Sequence, residues 1–475
     1  NSYIMGSHFR NDLIETLNVA NQISWTGTGS AASNWAMMSY FGRLSYNYDG
    51  KYLITANLRT DGSSKLHPDH RWSVFPSVSA AWRISSEEFM KDATWINDLK
   101  IRGGWGQTGN QDGIGDYAYL QRYNVIRSPW FEEGKEHDFV SISPQNLRTP
   151  DLRWEKTTQT GVGLDFTGIN NRLTVNLDYY FKKTSDMLMW VDLPGSGNIS
   201  QIQRNEGEMT NRGFETNINA DIFQGEFEWT TGFNISFNRN KLTKLELKPV
   251  YYDARTSDFV NDDVVKNEVG RPVGGFYGYV SQGVDPETGN MIYADLNNDG
   301  KTSVSDKTYI GDPNPNFTFG FTNNLYYKGF NLNVFIQGTQ GNDIYNVSRM
   351  EMEGMYDGKN QSTRVLQRWR VPGQVTEVPR AGYDMKNSSY FVEDGSYIRL
   401  KNVSLSYNIK APALSRIGIN KLAPFISASN LITLTKYTGM DPEVNQWGNS
   451  GRVQGLDWGT YPQTRAFVVG LNMEF

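Results

Sequence analysis

A chain of 475 residues with no cysteine excludes disulfides, thiolate metal sites and cysteine nucleophiles. Its net charge of −5, from 46 basic and 51 acidic residues, gives no electrostatic case for nucleic acid. A mean hydropathy of −0.56, with no apolar run near the roughly 18 residues of a membrane helix, excludes a helical membrane protein. It leaves β-barrels open, because half of a barrel's wall positions face water. Aromatic residues at 13%, with 26 Tyr, 13 Trp and 46 Gly, suit many strands joined by tight turns.

The chain starts Asn1-Ser2-Tyr3, with neither an initiator Met nor a secretion signal, so a preceding segment is expected. Taken forward, the alternation of apolar and polar residues predicts about fourteen strands. A weak one falls near 13–25. Strands at 42–48 and 52–59 are joined by Asp49-Gly50, a tight hairpin signal. Strands at 72–84 and 99–105 follow. A strand at 154–166 pairs with one at 172–181, where Leu173, Val175, Leu177, Tyr179 and Phe181 form one face. The pairs 210–222 with 227–238, and 317–327 with 330–337, turn at Gln224-Gly225 and Lys328-Gly329. Strands at 397–409, 422–434 and 465–475 complete the set. In the last, Phe467, Val469, Leu471, Met473 and Phe475 form an apolar row against Ala466, Val468, Gly470, Asn472 and Glu474. A closed barrel hides such an edge, and lipid outside with a lumen inside accounts for its two faces; this final row is the expected barrel-insertion signal.

The connections alternate. Long ones fall near 107–152, 186–208, 241–313, 342–395 and 435–462; short ones near 49–51, 168–171, 223–226, 328–329 and 410–420. An up-and-down membrane barrel places every second connection at the same end, with short periplasmic turns and long extracellular loops. A soluble sandwich has no reason to sort its loops this way. Rings such as Tyr46, Tyr48, Tyr52, Tyr326, Tyr327, Phe330 and Tyr407 cluster at strand ends, as interfacial girdles require.

Several stretches resemble the SusC/RagA-type TonB-dependent outer-membrane transporters. They are Phe41-Gly42-Arg43-Leu44-Ser45-Tyr46, Arg59-Thr60-Asp61-Gly62-Ser63-Ser64, Arg71-Trp72-Ser73-Val74-Phe75-Pro76-Ser77 and Gly106-Gln107-Thr108-Gly109-Asn110-Gln111. Gly275-Phe276-Tyr277-Gly278-Tyr279 and Ser396-Tyr397-Ile398-Arg399-Leu400-Lys401-Asn402-Val403 continue the match, which runs from about residue 36 to the end. The resemblance implies an all-β, transmembrane antiparallel β-barrel of 22 strands filled by an N-terminal plug. This sequence would supply about 14 C-terminal strands and lacks the plug. The resemblance further implies a SusD-like surface lipoprotein as lid and energy from the TonB complex, which acts on the missing N-terminal region. The cargo it implies is an oligosaccharide or a peptide. It allows a dimer of transporter–lipoprotein pairs.

Chemically, the sharpest motif is Asp295-Leu296-Asn297-Asn298-Asp299-Gly300-Lys301-Thr302-Ser303-Val304-Ser305-Asp306, in the 241–313 loop. Side-chain oxygens fall at Asp295, Asn297, Asp299, Ser303 and Asp306, Gly300 allows the sharp turn, and Lys301 can offer its carbonyl. This is the spacing of a calcium loop, since Ca²⁺ takes six to eight oxygens. An Asx-rich turn without an ion is the alternative. The expectation is weak, structural Ca²⁺ binding. Trp130, Phe131, Tyr251, Tyr252, Tyr356, Trp447 and Trp458 are read as exposed loop rings that contact cargo or, equally, the lipoprotein lid. Glu87-Glu88 and Glu132-Glu133 are solvated turn acids, His67 and His70 flank Pro68 in a polar loop, and Gly103-Gly104-Trp105-Gly106 opens no helix and cradles no phosphate. No enzyme chemistry is expected. The sequence therefore reads as an outer-membrane importer of a bulky nutrient, against a passive porin-like channel or a soluble secreted glycan-binding β-protein.

Overall fold

The computed structural model describes residues 2–9, 20–30, 33–132, 135–193, 199–246, 250–255, 260–409, 418–445 and 451–474. Its main feature is one antiparallel sheet of thirteen strands in which every strand pairs with its neighbours in chain order. We number them β1 (Met37–Tyr48), β2 (Tyr52–Ser63), β3 (Trp72–Arg83), β4 (Ile96–Asn110), β5 (Glu155–Gly168), β6 (Leu173–Asp192) and β7 (Gln201–Phe223). They continue as β8 (Phe227–Leu245), β9 (Phe317–Tyr327), β10 (Phe330–Gln340), β11 (Tyr397–Tyr407), β12 (Lys421–Thr435) and β13 (Ala466–Glu474). Strands β1 and β13 stand at its two edges, so these thirteen form an open wall. The fourteenth predicted strand, near 13–25, is not part of it. There, Ala20–Ser30 pairs with Ser2–Phe9 in a separate two-stranded sheet.

Alternation explains the wall. On β8 and β9, Phe233 pairs with Phe321 and lies between Phe319 and Phe321 on one face, with ring centroids 6.5 and 6.4 Å away. Asn234 pairs with Gly320 on the other face. On β13, Phe467 is 68% exposed and Val469 78%, and Leu471 and Met473 share their row. Phe475 lies outside the described residues. Apolar side chains bared in rows along many strands suit hydrocarbon, not water. The turns follow the sequence signals: Asp49 (φ +52) with Gly50 (φ +66), and Lys328 (φ +46) with Gly329 (φ +93), take the left-handed backbone that tight hairpins need.

Two predicted loops are smaller than the sequence suggested. Strands β6 and β7 stay paired from Leu173↔Ala220 to Asp192↔Gln201, so most of 186–208 is strand. The ladder passes an irregularity at 184–187, where Asp186 takes φ +54. The 107–152 connection carries a hairpin of its own, Tyr123–Glu132 with Lys135–Pro144.

The remaining long connections fold together. From 241–313 comes a four-stranded sheet of Val250–Arg255, Asp263–Glu268, Phe276–Gly278 and Thr308–Gly311. From 342–395 come Asp343–Asn346, the helix α1 (Val347–Glu353) and Val392–Asp394; Leu456–Asp457 of the 435–462 connection pairs in parallel with the first of these. Val264, Val265, Phe276, Tyr345, Met350, Phe391 and Leu456, drawn from all three connections, share one buried core. The connections thus form a folded cap rather than separate loops.

Candidate functional site

The cap is tied to the wall through one buried cation. Arg399 of β11 is 1% exposed. Its Nη2 donates to Asp441 Oδ1 at 2.7 Å, its Nη1 to Glu443 and its Nε to Thr433 Oγ1 at 2.9 Å. Glu443 also accepts from Tyr397 (2.7 Å), Gln337 (2.6 Å) and Lys401 (3.2 Å). Gln337, Arg399 and Tyr397 lie on the polar row of β10 and β11, so the 435–462 connection folds over the polar side of the wall. That side is therefore the covered, inner one. The motif containing Arg399 was visible in the sequence, but its carboxylate partners lie some forty residues on, where nothing local marked them.

The calcium-type motif forms a tight curl. Asp295 accepts from the Asp299 and Gly300 N–H groups at 3.2 and 2.7 Å, Asn297 Oδ1 from Asp299 N–H at 3.0 Å, and Asp299 from Lys301 N–H at 2.9 Å. Asn298 (φ +60) and Gly300 (φ +80) supply the left-handed backbone. Asp306 closes the loop: fully buried, it accepts from the N–H groups of Ser303 (2.7 Å), Leu296 (2.9 Å) and Asn297 (3.3 Å). The Ser303 N–H, foremost among these, holds its carboxyl below the usual range. Among the described residues, no three acidic or histidine side chains form a ready ligand set. Asp295, Asn297, Asp299 and Asp306 all accept backbone N–H groups, and Asp306, the most buried of them, accepts three.

The ring candidates separate. Tyr252 is 47% exposed and lies 6.1 Å from Tyr277. Tyr251, expected on the surface, is 5% exposed and packs with Met189, Leu242 and Leu245. Tyr356 and Trp458 are half-buried against the cap core, and the Tyr356 hydroxyl donates to Glu351 at 2.7 Å. The correction has two causes: Tyr356 and Trp458 pack on the core that the connections form themselves, whereas Tyr251 packs on the ends of the wall strands β6 and β8, and rings are the largest side chains available for both. Trp447 and the side chains of Trp130 and Phe131 lie outside the described residues. A cavity of about 430 Å³, lined in part by Arg349, Met352, Glu353, Thr438, Met440 and Asp457, opens between α1 and the 435–462 connection.

Residues 1–431 match the family model described as TonB dependent receptor-like, beta-barrel. This chain belongs to that family. TonB-dependent receptors are outer-membrane β-barrels, and the family is one of transporters rather than enzymes. TonB-dependent receptor P3 of Formosa agariphila is 34% identical over 461 residues, which cover 92% of this chain and 45% of that protein. TonB-dependent receptor SusC of Bacteroides thetaiotaomicron is 32% identical over 463 residues, covering 94% of this chain and 44% of SusC. Among solved structures, the RagAB peptide transporter superposes with a TM-score of 0.85 at 26% identity, over 98% of this chain and 51% of that one. The chain spans about half the length of the curated relatives it matches.

Proposed function

We propose that this chain is the outer wall and cap of an energised importer that carries a bulky nutrient across the outer membrane. The observation that carries this reading is the wall itself: lipid-suited rows on one side, a polar side under a folded cap on the other, in a chain similar to SusC and RagA-type proteins. In this reading the cap lies outside the cell and the C-terminus at the periplasmic end. A SusD-like lipoprotein covers the cap, and TonB acts through a part of the protein beyond this chain. The cargo is an oligosaccharide or a peptide. The likeness to a peptide transporter supports the latter, and the former is what the sequence resemblance to SusC/RagA-type transporters implies. No bond is made or broken.

In cells carrying the intact transporter, nutrient uptake is expected to stop when a protonophore collapses the proton-motive force, and a large lipoprotein is expected to co-purify with it. Uptake that continues without the force would favour a passive channel.

We also propose that the 295–306 curl binds Ca²⁺ weakly and staples the cap, in the millimolar range of extracellular modules. Support comes from the left-handed residues Asn298 and Gly300 and the three oxygen side chains that the turn draws together. Terbium luminescence that Ca²⁺ competes away, lost in Asp299→Ala, is the expected result. No luminescence in the native protein contradicts it.

A further inference from the structure

The inner side of the wall is divided by charge. On β4 to β7 it is crowded with ions. Lys100 lies 2.8 Å from Asp165, and Arg102 lies 3.1 Å from Asp165 and 2.6 Å from Asp178. Lys182 and Glu215 face the same way on the next rows. Gly163 lets the Arg102 guanidinium lie flat, since a Cβ there would come within 2.6 Å of it. Beside these ions a groove of about 660 Å³ runs over Gly104, Gly106 and Gly161.

From β8 to β13 the ions stop. On β8 the inward row reads Thr230, Gly232, Asn234, Ser236 and Asn238; on β9 it reads Thr318, Gly320, Thr322 and Asn324. Across from these stand Asn331, Asn333 and the ring of Phe335 on β10, then Asn402, Ser404 and Ser406 of β11. Phe425, Ser427 and Ser429 of β12 and Val468 and Gly470 of β13 finish the surface, the Phe425 ring lying over Gly470. The charged inward groups in this half stand at its ends. Glu228, Lys421 and Glu474 lie by the short turns, Arg399 is buried and neutralised beneath the cap, and Lys401 beside it pairs with Glu443 of the cap at 3.2 Å.

The amides bond sparingly: Asn333 donates to Asn324 at 2.6 Å, and Asn324 to Thr230, Asn402 to Ser429 and Asn238 to Asn211 of β7 each at 3.4 Å. Each amide has two donors and an acceptor, so most of that capacity faces the lumen. Asn234, Asn324 and Asn331 are exposed there.

Passage needs many sites, each weak enough to leave. A lattice of neutral amides and hydroxyls meets that need for a neutral chain, because it exchanges one hydrogen bond for another of similar strength. It does nothing for a charged chain, which would shed hydration without an opposite charge to replace it. The paired ions of β4–β6 have fixed partners and suit stationary contacts. We infer that the cargo's path runs along the β8–β13 half of this wall, and that it takes an uncharged chain dense in hydroxyls or amides. This rests on the import reading above.

These 475 residues contain no cysteine, so a single thiol placed among them is compared with the same intact transporter lacking it, which sets the background. Asn324→Cys and Ser404→Cys would mark the neutral half, and Thr108→Cys and Gln159→Cys the charged half, each in the intact transporter in its native outer membrane. Asn333→Cys replaces either of the first two if that variant fails to reach the membrane. The probe is the neutral hydroxyethyl methanethiosulfonate, with and without a protonophore. Labelling at the neutral half is expected to rise about tenfold in energised cells, as for a path open part of the time. Labelling at the charged half should stay unchanged. Pools of neutral oligosaccharides and of uncharged peptides, added separately, should protect the neutral-half thiols; which pool does so identifies the cargo's source. Sulfated and acidic pools should not protect. A rise confined to the charged half, a rise in both halves, or equal protection by charged pools overturns the division. No energy dependence at any position overturns the import reading and this inference with it.

Discussion

At the scale of single residues, Arg399 and Asp306 carry the most. Arg399→Met leaves Asp441 and Glu443 facing each other beneath the cap, and losing one partner of a buried ion cluster costs about 3–5 kcal/mol. Proteolysis within 435–462 is expected to accelerate in that variant and to slow again when Asp441→Asn and Glu443→Gln are added. Asp306 gives a pH dependence. Its carboxyl titrates lower in the folded loop than in the unfolded chain, so its contribution is complete above the unfolded value of about 3.9 and fades as pH falls through the folded one. The 295–306 loop is therefore expected to resist protease at neutral pH and to become susceptible only in strong acid. Asp306→Asn should remove most of that pH dependence. The local curl around Gly300 was legible because its ligand spacing lies within twelve residues. The Arg399 network was not, since its partners are joined only by the fold.

At the scale of elements, strands were legible wherever one face meets lipid and the other water. Leu173, Val175, Leu177, Tyr179 and Phe181 mark β6 by alternation alone, and the Asp49-Gly50 and Lys328-Gly329 turns fix its counterparts elsewhere. Alternation fails where both faces are apolar: past Lys182 the strand continues for ten residues to Asp192 through the unbroken run Met187-Leu188-Met189-Trp190-Val191, in which Met189 and Val191 are buried. The two faces make opposite predictions. Phe233→Arg, near the middle of the apolar row of β8, should destabilise the folded barrel by about 2–4 kcal/mol, while Asn234→Arg beside it should be nearly neutral. Unfolding in urea from lipid bilayers measures both. Equal effects would mean that the faces are assigned wrongly. Gly470 adds a packing test: a Cβ there would sit 2.4 Å from the Phe425 ring, so Gly470→Val should displace that ring and cost about 1–3 kcal/mol.

At the scale of the whole molecule, the wall could be read from the sequence but the cap could not. Val264, Phe276, Tyr345, Met350, Phe391 and Leu456 meet in one core from three connections, without any period along the chain to reveal it. For the same reason Tyr356 and Trp458 were read as surface rings, and so was Tyr251, whose partners Met189 on β6 and Leu242 and Leu245 on β8 are likewise not marked by any local pattern. The cap's core also gives the polar side of the wall its roof, and with it the inside of the molecule. Everything proposed about passage depends on that division into a lipid side and a water side. Spin labels placed singly from 466 to 474 in the intact transporter, in bilayers, test it most directly. Collision with oxygen should peak at 467, 469, 471 and 473, and collision with a water-soluble nickel chelate at the positions between. A profile without alternation, or one with the two reagents exchanged, would contradict it.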